Sequence, residues 1–261
     1  MTNLETIDLD RRSDGIAIIT IDRPDRLNAL NETVLSELLS VAEQLADDDE
    51  LRAAIITGAG RAFVAGADIA AMNQMSADEA AEFGRLGHQT MNALEALPVP
   101  TLAAVNGFAL GGGLELALTC DLIYLSEKAR VGLPEVGLGI IPGFGGTQRL
   151  GRRIGWQQAR RLVFTGEQLT ADEALDVGLG IDVFSADELI ERVLDIASTI
   201  ANQGPIAVRR AKSIMHRGSQ IPIDEANQLE IDTFENLWPT EDRAEGMEAF
   251  LNKKSPDFQG Q

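Results

Sequence analysis

The sequence predicts a fold of the α/β class, or mixed α+β, in which short strands alternate with helices. Runs of β-branched residues alternate with segments of helical period through most of the 261 residues, as in folds where helices cover a sheet. After Ala186 only helical patterns follow, without a Ser/Gly-rich linker. We therefore expect a core over residues 1–196 and a helical segment over residues 197–261.

The predicted strands are apolar, β-branched runs that end at turn residues. They cover residues 15–21, 52–57, 101–105 and 122–125. A helix is expected between the first two strands, because Asn31 is a candidate N-cap and apolar residues then recur at helical spacing up to Leu45.

Three helix starts are predicted from one repeated pattern. Ser or Thr followed by Ala-Asp-Glu occurs at residues 76–79, 170–173 and 185–188. This spacing is typical of a capping box, in which the hydroxyl and the glutamate each bind a free backbone N–H of the first helical turn. The acidic residues of these segments are therefore interpreted as helix caps.

The charge balance excludes several classes of partner. The chain has 22 basic and 41 acidic residues, a formal charge of −19, and such a surface repels nucleic acid and anionic membranes. The excess fits a high-salt cytoplasm, where salt screens the repulsion, and equally an acidic mesophilic protein. The dependence of the melting temperature on KCl separates these two interpretations.

The sequence also favours a cytoplasmic location. It contains neither a basic stretch followed by an apolar leader nor a run of about 18 uncharged apolar residues. Cys120 is the single cysteine and lies in an apolar run. We interpret it as a buried structural thiol, since no internal disulfide is available to it.

The most informative segment is residues 106–118, where an apolar strand pattern runs into Gly111, Gly112 and Gly113 and then into a helical pattern. Glycines at a strand-to-helix turn let the backbone approach a ligand and direct the free N–H groups of the helix at negative charge. A second glycine turn, residues 63–69, can supply another donor to a carbonyl that develops negative charge. A close crossing of helix and strand is the structural alternative for the three glycines.

Two glutamates stand out by their surroundings. Glu115 lies three residues after Gly112, and Glu135 lies in an apolar, glycine-rich loop over residues 133–147. Burial raises the pKa of a carboxyl group, which suits it to general acid and base catalysis. The alternatives are a solvated loop charge for Glu135 and a surface position on a helix for Glu115.

Short motifs spread over nearly the whole chain occur in a fixed order, at residues 23–24, 27–30, 65–69, 103–115, 120–121, 134–135, 141–143, 145–150, 241–243, 245–247 and 249–250. Taken together, they resemble the motifs of the enoyl-CoA hydratase/isomerase family, the crotonase superfamily. The resemblance implies a crotonase-type spiral of ββα units with a helical C-terminal oligomerisation segment, and a homotrimer or homohexamer.

The resemblance also implies roles for individual residues. Glu115 and Glu135 match the acid/base pair of the hydratases, and Ala67 and Gly112 match the two N–H donors of the oxyanion hole. Contacts with the substrate or its CoA are implied for Arg26, Leu27, Ala65, Gly66, Asp68, Ile69 and, from a neighbouring subunit, Lys253.

The implied reaction is the reversible syn addition of water across the C2–C3 double bond of a trans-2-enoyl-CoA, as in fatty-acid β-oxidation. The substrate is an acyl-CoA thioester, and no cofactor is expected beyond its CoA moiety. A dehydratase of short 3-hydroxyacyl-CoA substrates retains the same two glutamates, so it stays an alternative. An enoyl-CoA isomerase usually retains only the carboxylate that matches Glu135, so the pair favours a hydratase.

Functions from other classes are disfavoured. An RNA-binding role, known for some relatives, does not fit the acidic balance. Phe63 occupies the third glycine position of a dinucleotide-binding fingerprint that would begin at Gly58. His88 and His216 show no metal-ligand spacing, so no metal site is expected.

Overall fold

A computed structural model describes residues 4–261; residues 1–3 of the first predicted unit lie outside the described residues. The strands are β1 (Ile7–Arg11), β2 (Ile16–Ile21), β3 (Ala53–Gly58), β4 (Ala62–Val64), β5 (Thr101–Val105), β6 (Phe108–Leu110), β7 (Leu122–Ser126), β8 (Arg130–Gly132), β9 (Gln168–Thr170) and β10 (Asp182–Phe184). The helices are α1 (Glu32–Ala46), α2 (Ile69–Met72), α3 (Ala77–Glu95), α4 (Gly112–Ala117), α5 (Gly146–Ile154), α6 (Trp156–Thr165), α7 (Ala171–Asp176), α8 (Leu189–Ala201), α9 (Pro205–Gly218), α10 (Ile223–Leu237) and α11 (Glu241–Leu251).

The larger sheet has six strands in the order β1-β2-β3-β5-β7-β10. Only the β1–β2 pair is antiparallel, and all six residues of β3 are buried. Continuous apolar runs such as β3 are typical of parallel sheets that are covered on both faces. The four strands predicted from such runs are confirmed. Strand β1 was missed, although its alternation of apolar and acidic residues is the signal of an edge strand with one buried face.

The smaller sheet has the order β4-β6-β8-β9, and the first three strands are parallel. Three times the chain places one strand in the larger sheet, the next strand in the smaller sheet, and then a helix: β3-β4-α2, β5-β6-α4 and β7-β8-α5. This arrangement confirms the predicted mixed α/β fold with its spiral of ββα units. Because β4, β6 and β8 are parallel neighbours, the turns that follow them meet at one edge of the smaller sheet.

The predicted helix starts are confirmed at three positions and wrong at one. Asn31 caps α1 by accepting a hydrogen bond from the N–H of Val34 at 3.0 Å, and complete capping boxes begin α3 at Ser76 and α7 at Thr170. The third predicted box is wrong. The hydroxyl of Ser185 donates to the carboxylate of Glu188, and α8 begins after it without a side-chain cap.

Helix α8 packs on the larger sheet through Leu189, Val193 and Ala197, and the predicted boundary at residue 196 lies within it. The division of the chain into two units stays a prediction. The three helices beyond α8 confirm the predicted helical segment, and α10 has no buried residue. Within the described part of the chain, no helix combines the length and apolarity that a membrane crossing needs.

Candidate active site

The turns after β4, β6 and β8 enclose a cavity of about 190 Å³. Each turn brings a different segment of the sequence to this cavity, and both predicted catalytic glutamates lie on its wall. Apart from these two carboxyl groups, the lining is apolar or backbone. Its lining residues are Ala65, Gly66, Ala67, Ile69, Met72, Ala80, Phe83, Gly84, Leu110, Gly111, Gly112, Glu115, Pro134, Glu135, Leu138, Ile140, Ile141, Gly143 and Phe144.

The three consecutive glycines allow a close crossing of helix and strand and also leave a free N–H group at the start of the helix. A Cβ atom on Gly113 would lie 1.9 Å from the carbonyl oxygen of Val64, so α4 crosses β4 at a distance that only glycine permits. Gly112 is the first residue of α4, and the N–H groups of a first helical turn have no partner within the helix. The N–H of Gly112 is therefore available at the cavity, at the positive end of the helix dipole.

Ala67 presents a second free N–H group. It forms a parallel β-bridge with Leu30, in which the N–H of Leu30 donates to the carbonyl of Gly66 and the N–H of Asp68 donates to the carbonyl of Leu30, at 2.9 and 2.8 Å. In a parallel bridge the bonds run through the two neighbours of the paired residue, so the N–H of Ala67 points to the opposite side. Within residues 4–261 it donates to no backbone acceptor.

Glu115 is buried, with 1% of its surface exposed. Its Oε1 accepts hydrogen bonds from the N–H groups of Phe144, at 2.8 Å, and Gly146, at 2.7 Å. Burial raises the pKa of Glu115, while these two N–H groups and the charge of Arg149 oppose the rise. The two bonds fix one carboxylate oxygen and stabilise the ionised form, which leaves the other oxygen for a ligand.

Glu135 has a different environment. It begins a short 3₁₀ turn, and its buried Oε2 has no hydrogen-bond partner in the described part of the chain. Burial, assisted by the nearby charge of Glu115, raises the pKa of Glu135 to about 7. With one oxygen unpartnered, the carboxyl group of Glu135 is more easily kept protonated than that of Glu115, which accepts two N–H bonds. Glu135 is therefore poised to exchange a proton near neutral pH.

The remaining predicted residues divide into three groups. Ala65, Gly66 and Ile69 line the cavity with Ala67, whereas Leu27 and Asp68 belong to the backbone network behind it. The carbonyl of Leu27 accepts the N–H of Ala65, and Asp68 caps α2. Arg26 and Lys253 are exposed and lie outside the cavity lining, at Pro24–Arg26 and at the end of α11. Within residues 4–261, no group of three or more His, Cys, Asp and Glu side chains is arranged to hold a metal ion.

Sequence reasoning missed the residues that shape the cavity. The rings of Phe83, on α3, and Phe144 meet edge to face with centroids 5.3 Å apart, and Leu138, Ile140 and Ile141 line the cavity while staying more than 40% exposed. All three, together with Phe144, lie in the loop over residues 133–147, which was interpreted only for its glutamate, its glycines and its apolar character. No local pattern distinguished Phe83 from other apolar residues of its helix.

Known proteins of one family are similar to this chain in sequence and in fold. The sequence model of the family "Enoyl-CoA hydratase/isomerase" matches residues 11–261. The chain is 47% identical to a short-chain-enoyl-CoA hydratase of Clostridium acetobutylicum over 92% of each chain. It is 46% identical to a crotonyl-CoA hydratase of Syntrophomonas wolfei over 95% of each chain. The crystal structure of an enoyl-CoA hydratase from Bacillus anthracis superposes with a TM-score of 0.96 at 39% identity, covering 98% of this chain and 100% of the other.

The spiral of ββα units and the cavity at the edge of its smaller sheet define an enzyme of the crotonase fold. The family resemblance read from the sequence motifs is thereby confirmed. The chain belongs to the enoyl-CoA hydratase/isomerase family, and its relatives make it an enzyme of the hydro-lyase type.

Proposed function

We propose that this protein adds water to the C2–C3 double bond of a trans-2-enoyl-CoA and gives the 3-hydroxyacyl-CoA, reversibly. One observation carries the proposal: two buried carboxyl groups of unlike environment line one cavity together with Ala67 and Gly112, whose N–H groups have no partner in a β-bridge or a helix. The reaction needs N–H donors for the thioester oxygen, a base that takes a proton from water, and an acid that gives a proton to C2. Residues of this cavity offer a candidate for each.

The N–H groups of Ala67 and Gly112 are proposed to hold the thioester oxygen. Attack of water on C3 moves the electrons of the double bond toward that oxygen and forms an enolate. Preorganised N–H donors bind the enolate oxygen more strongly than the neutral carbonyl, which lowers the barrier. Loss of one such donor typically costs about 100-fold or more in turnover.

The two glutamates are proposed to divide the proton transfers. Ionised Glu115 takes a proton from the water that attacks C3, and protonated Glu135 gives a proton to C2. The hydrogen bonds to Oε1 of Glu115 support its role as the base, and the unpartnered Oε2 of Glu135 supports its role as the acid. After each turnover Glu115 holds a proton and Glu135 lacks one, so the pair is reset by proton exchange with water.

Hydration of crotonyl-CoA, followed by loss of the enoyl-thioester absorbance, tests this function. Glu115→Gln and Glu135→Gln are each expected to lower kcat by about 100-fold to 10,000-fold, since each removes one proton transfer. Glu43→Gln, at an exposed position on α1, is the matched control and keeps full activity. Near-native turnover in either site variant would contradict the role of that residue. Inactivity of the wild type on all enoyl-CoA substrates from short to long would contradict the hydratase function.

Short, unbranched acyl groups are proposed as the preferred substrates. The cavity measures about 190 Å³ and is bounded by the paired rings of Phe83 and Phe144. No cationic side chain lies among its lining residues, which disfavours acyl groups that end in a carboxylate. Two relatives with short-chain or crotonyl substrates in their names support the same preference.

Measurement of kcat/KM for enoyl-CoA substrates of increasing chain length tests the preference. Phe83→Ala removes part of the wall and is expected to raise kcat/KM for longer acyl chains relative to crotonyl-CoA by roughly 10-fold or more. Phe164→Ala is the control, because this ring is 72% exposed and lies outside the cavity lining. An unchanged chain-length profile in Phe83→Ala would contradict the assignment of this wall.

Arg26 is proposed to contact the adenine or phosphate end of CoA, and Lys253 of a neighbouring subunit is proposed to contact a CoA phosphate. Both are exposed cations on a strongly acidic protein, where a polyanionic ligand requires local positive charge. Lys253 has a φ of 54° at the end of α11, so Lys253→Gly removes the charge with a residue that adopts this backbone readily. The variant is expected to raise KM for crotonyl-CoA and to leave KM for crotonyl-pantetheine unchanged. An equal change for both substrates would contradict the phosphate contact.

A homotrimer or homohexamer is proposed as the assembly. Helix α10 has no buried residue, and large apolar side chains of α10, its C-cap and α11 are exposed, including Phe234, Trp238, Phe250 and Leu251. Exposed apolar surface of this kind is typical of a subunit interface. Phe250→Glu is expected to shift the assembly to smaller species in sedimentation velocity; a monomeric wild type would contradict the proposal. We further propose a cytoplasmic location. We also propose that no cofactor is needed beyond the CoA of the substrate, since hydration is not a redox reaction.

A further inference from the structure

The carboxylate of Glu115 depends on a turn that follows Glu135 in the chain. Its two N–H donors belong to Phe144 and Gly146, which flank Gly145. Gly145 has a φ of 110°, a backbone conformation that favours glycine. The two N–H groups converge on one oxygen only while this three-residue turn keeps its shape.

Arg149 binds the turn from the side opposite Glu115. Its Nη1 donates to the carbonyl of Phe144 at 3.0 Å. Its Nε and Nη2 donate to the carboxylate of Glu95 at 3.1 and 2.7 Å, and Nη2 also donates to the side chain of Asn92 at 2.8 Å. The guanidinium lies close to Gly145: a Cβ atom at this position would be 2.1 Å from Nη1, so only glycine leaves room for it. The side chain of Arg149 is 12% exposed and that of Glu95 is 31% exposed, so the bonds to Phe144 and Glu95 are partly shielded from water, whereas the bond to Asn92 lies at the surface.

The result is a continuous chain of contacts from helix α3 to the base. Glu95 and Asn92 fix Arg149, Arg149 holds the carbonyl of Phe144, and the N–H of Phe144 binds Glu115. A planar guanidinium spreads its five N–H donors over three nitrogens in a fixed geometry and so binds three separated acceptors, whereas the three donors of lysine lie on a single nitrogen.

We propose that Arg149 is a positioning residue for Glu115, acting through the Phe144–Gly146 turn. The inference rests on the proposed function, because it takes Glu115 as the base. Arg149 is not itself a cavity-lining residue; it binds the carbonyl of Phe144, which is one, keeps two N–H groups aimed at Glu115 and places a positive charge beside the turn.

The charge of Arg149 and the two N–H bonds favour the ionised form of Glu115 against the effect of burial. The other charged or titratable groups around the turn are Glu135, which faces the same cavity, Glu95 and His88 on α3, and Arg152, Arg153 and His216, which line the cleft beside Gly145 and Arg149. Loss of Arg149 therefore raises the pKa of Glu115 and moves the acidic limb of the kcat/KM profile to higher pH.

Arg149→Gln tests the proposal, with Arg152→Gln as the matched control. Arg152 lies on the same helix and carries the same charge, but it donates to Gln148 and lies over the ring of Trp156. We expect Arg149→Gln to lower kcat by roughly 10- to 100-fold with a smaller change in KM, and to shift the acidic limb upward. Arg152→Gln is expected to leave both properties unchanged. Arg149→Lys keeps the positive charge but lacks the planar guanidinium. We therefore expect the acidic limb of its kcat/KM profile to lie near that of the wild type, while its kcat stays lower.

Two measurements separate this role from a merely structural one. Circular dichroism gives the folded fraction, and titration of the ¹³C-labelled carboxyl of Glu115 by NMR gives its pKa without any turnover. A higher pKa of Glu115 in folded Arg149→Gln supports the proposal, whether or not crotonyl-CoA is the substrate. An unchanged pKa and pH profile, with activity lost only in proportion to the folded fraction, would overturn it. Inactivity of the wild type with a raised pKa in the variant would overturn the hydratase function alone.

Discussion

Glu135→Gln is expected to stabilise the fold above neutral pH while it removes the proposed acid. Burial raises the pKa of Glu135 from 4.5 to about 7, so the folded protein retains a proton that the unfolded chain releases between these pH values. The folded state then binds more protons than the unfolded state, and the free energy of unfolding falls as the pH rises through this window. Glutamine is uncharged at every pH and does not suffer this loss.

The size of the effect follows from the difference in pKa. Each tenfold change in proton affinity corresponds to about 1.4 kcal/mol. The wild type therefore loses at most about 3 kcal/mol of its free energy of unfolding by pH 8. Because the carboxyl borders a cavity that water can enter, we expect about half of this, roughly 1.5 kcal/mol, after solvent screening. For a chain of this size, that corresponds to a rise in melting temperature of roughly 3 to 6 °C.

Melting temperatures of the wild type and Glu135→Gln at pH 5 and pH 8, at one protein and salt concentration, test this prediction. The variant is expected to melt above the wild type at pH 8 and to differ much less at pH 5. Glu79→Gln is the control of opposite sign: its pKa is lowered by the capping box with Ser76, so its replacement destabilises at pH 8. If Glu135→Gln melts at or below the wild type at pH 8, the raised pKa is wrong.

Three further predictions concern the fold. Thr170→Ala removes a working capping box and is expected to cost about 1 kcal/mol in urea unfolding, whereas Ser185→Ala costs less than about 0.5 kcal/mol because Ser185 caps no backbone N–H. Gly113→Ala places a Cβ 1.9 Å from a backbone carbonyl and is expected to lower the free energy of unfolding by about 1 to 3 kcal/mol or more. The control is Gly137→Ala, whose Cβ meets open space. An equal loss of stability in the control would contradict the steric explanation. Burial raises the pKa of Cys120 to about 12, so a thiol reagent at pH 8 is expected to label it only after denaturation.

Local sequence patterns predicted much of the fold. The strands β2, β3, β5 and β7 are marked by their β-branched runs, and the start of α1 by Asn31, because both signals depend on residues within a few positions. The same reasoning failed at Ser185, which has the same four-residue pattern as Ser76. There the hydroxyl bonds to Glu188, and α8 starts where Leu189 becomes buried against the larger sheet. Packing, a tertiary property, decided that helix start.

The candidate site was predicted in part. The position of Glu115 after a glycine turn and that of Glu135 in an apolar loop distinguished them from the other acidic residues, and the family motifs then assigned them a reaction. The sequence could not show that Glu115 accepts N–H groups 29 and 31 residues away. Nor could it show that Phe83 of α3 bounds the cavity.

The α/β class, the family and the two glutamates therefore follow from the order of residues along the chain. What distinguishes those glutamates chemically arises only in the folded protein: within residues 4–261, Glu115 accepts two N–H groups and Oε2 of Glu135 accepts none. This is because the pKa of a carboxyl group depends on its burial and its hydrogen-bond donors. Both are supplied by segments that are distant in the chain and meet only because β4, β6 and β8 are parallel neighbours.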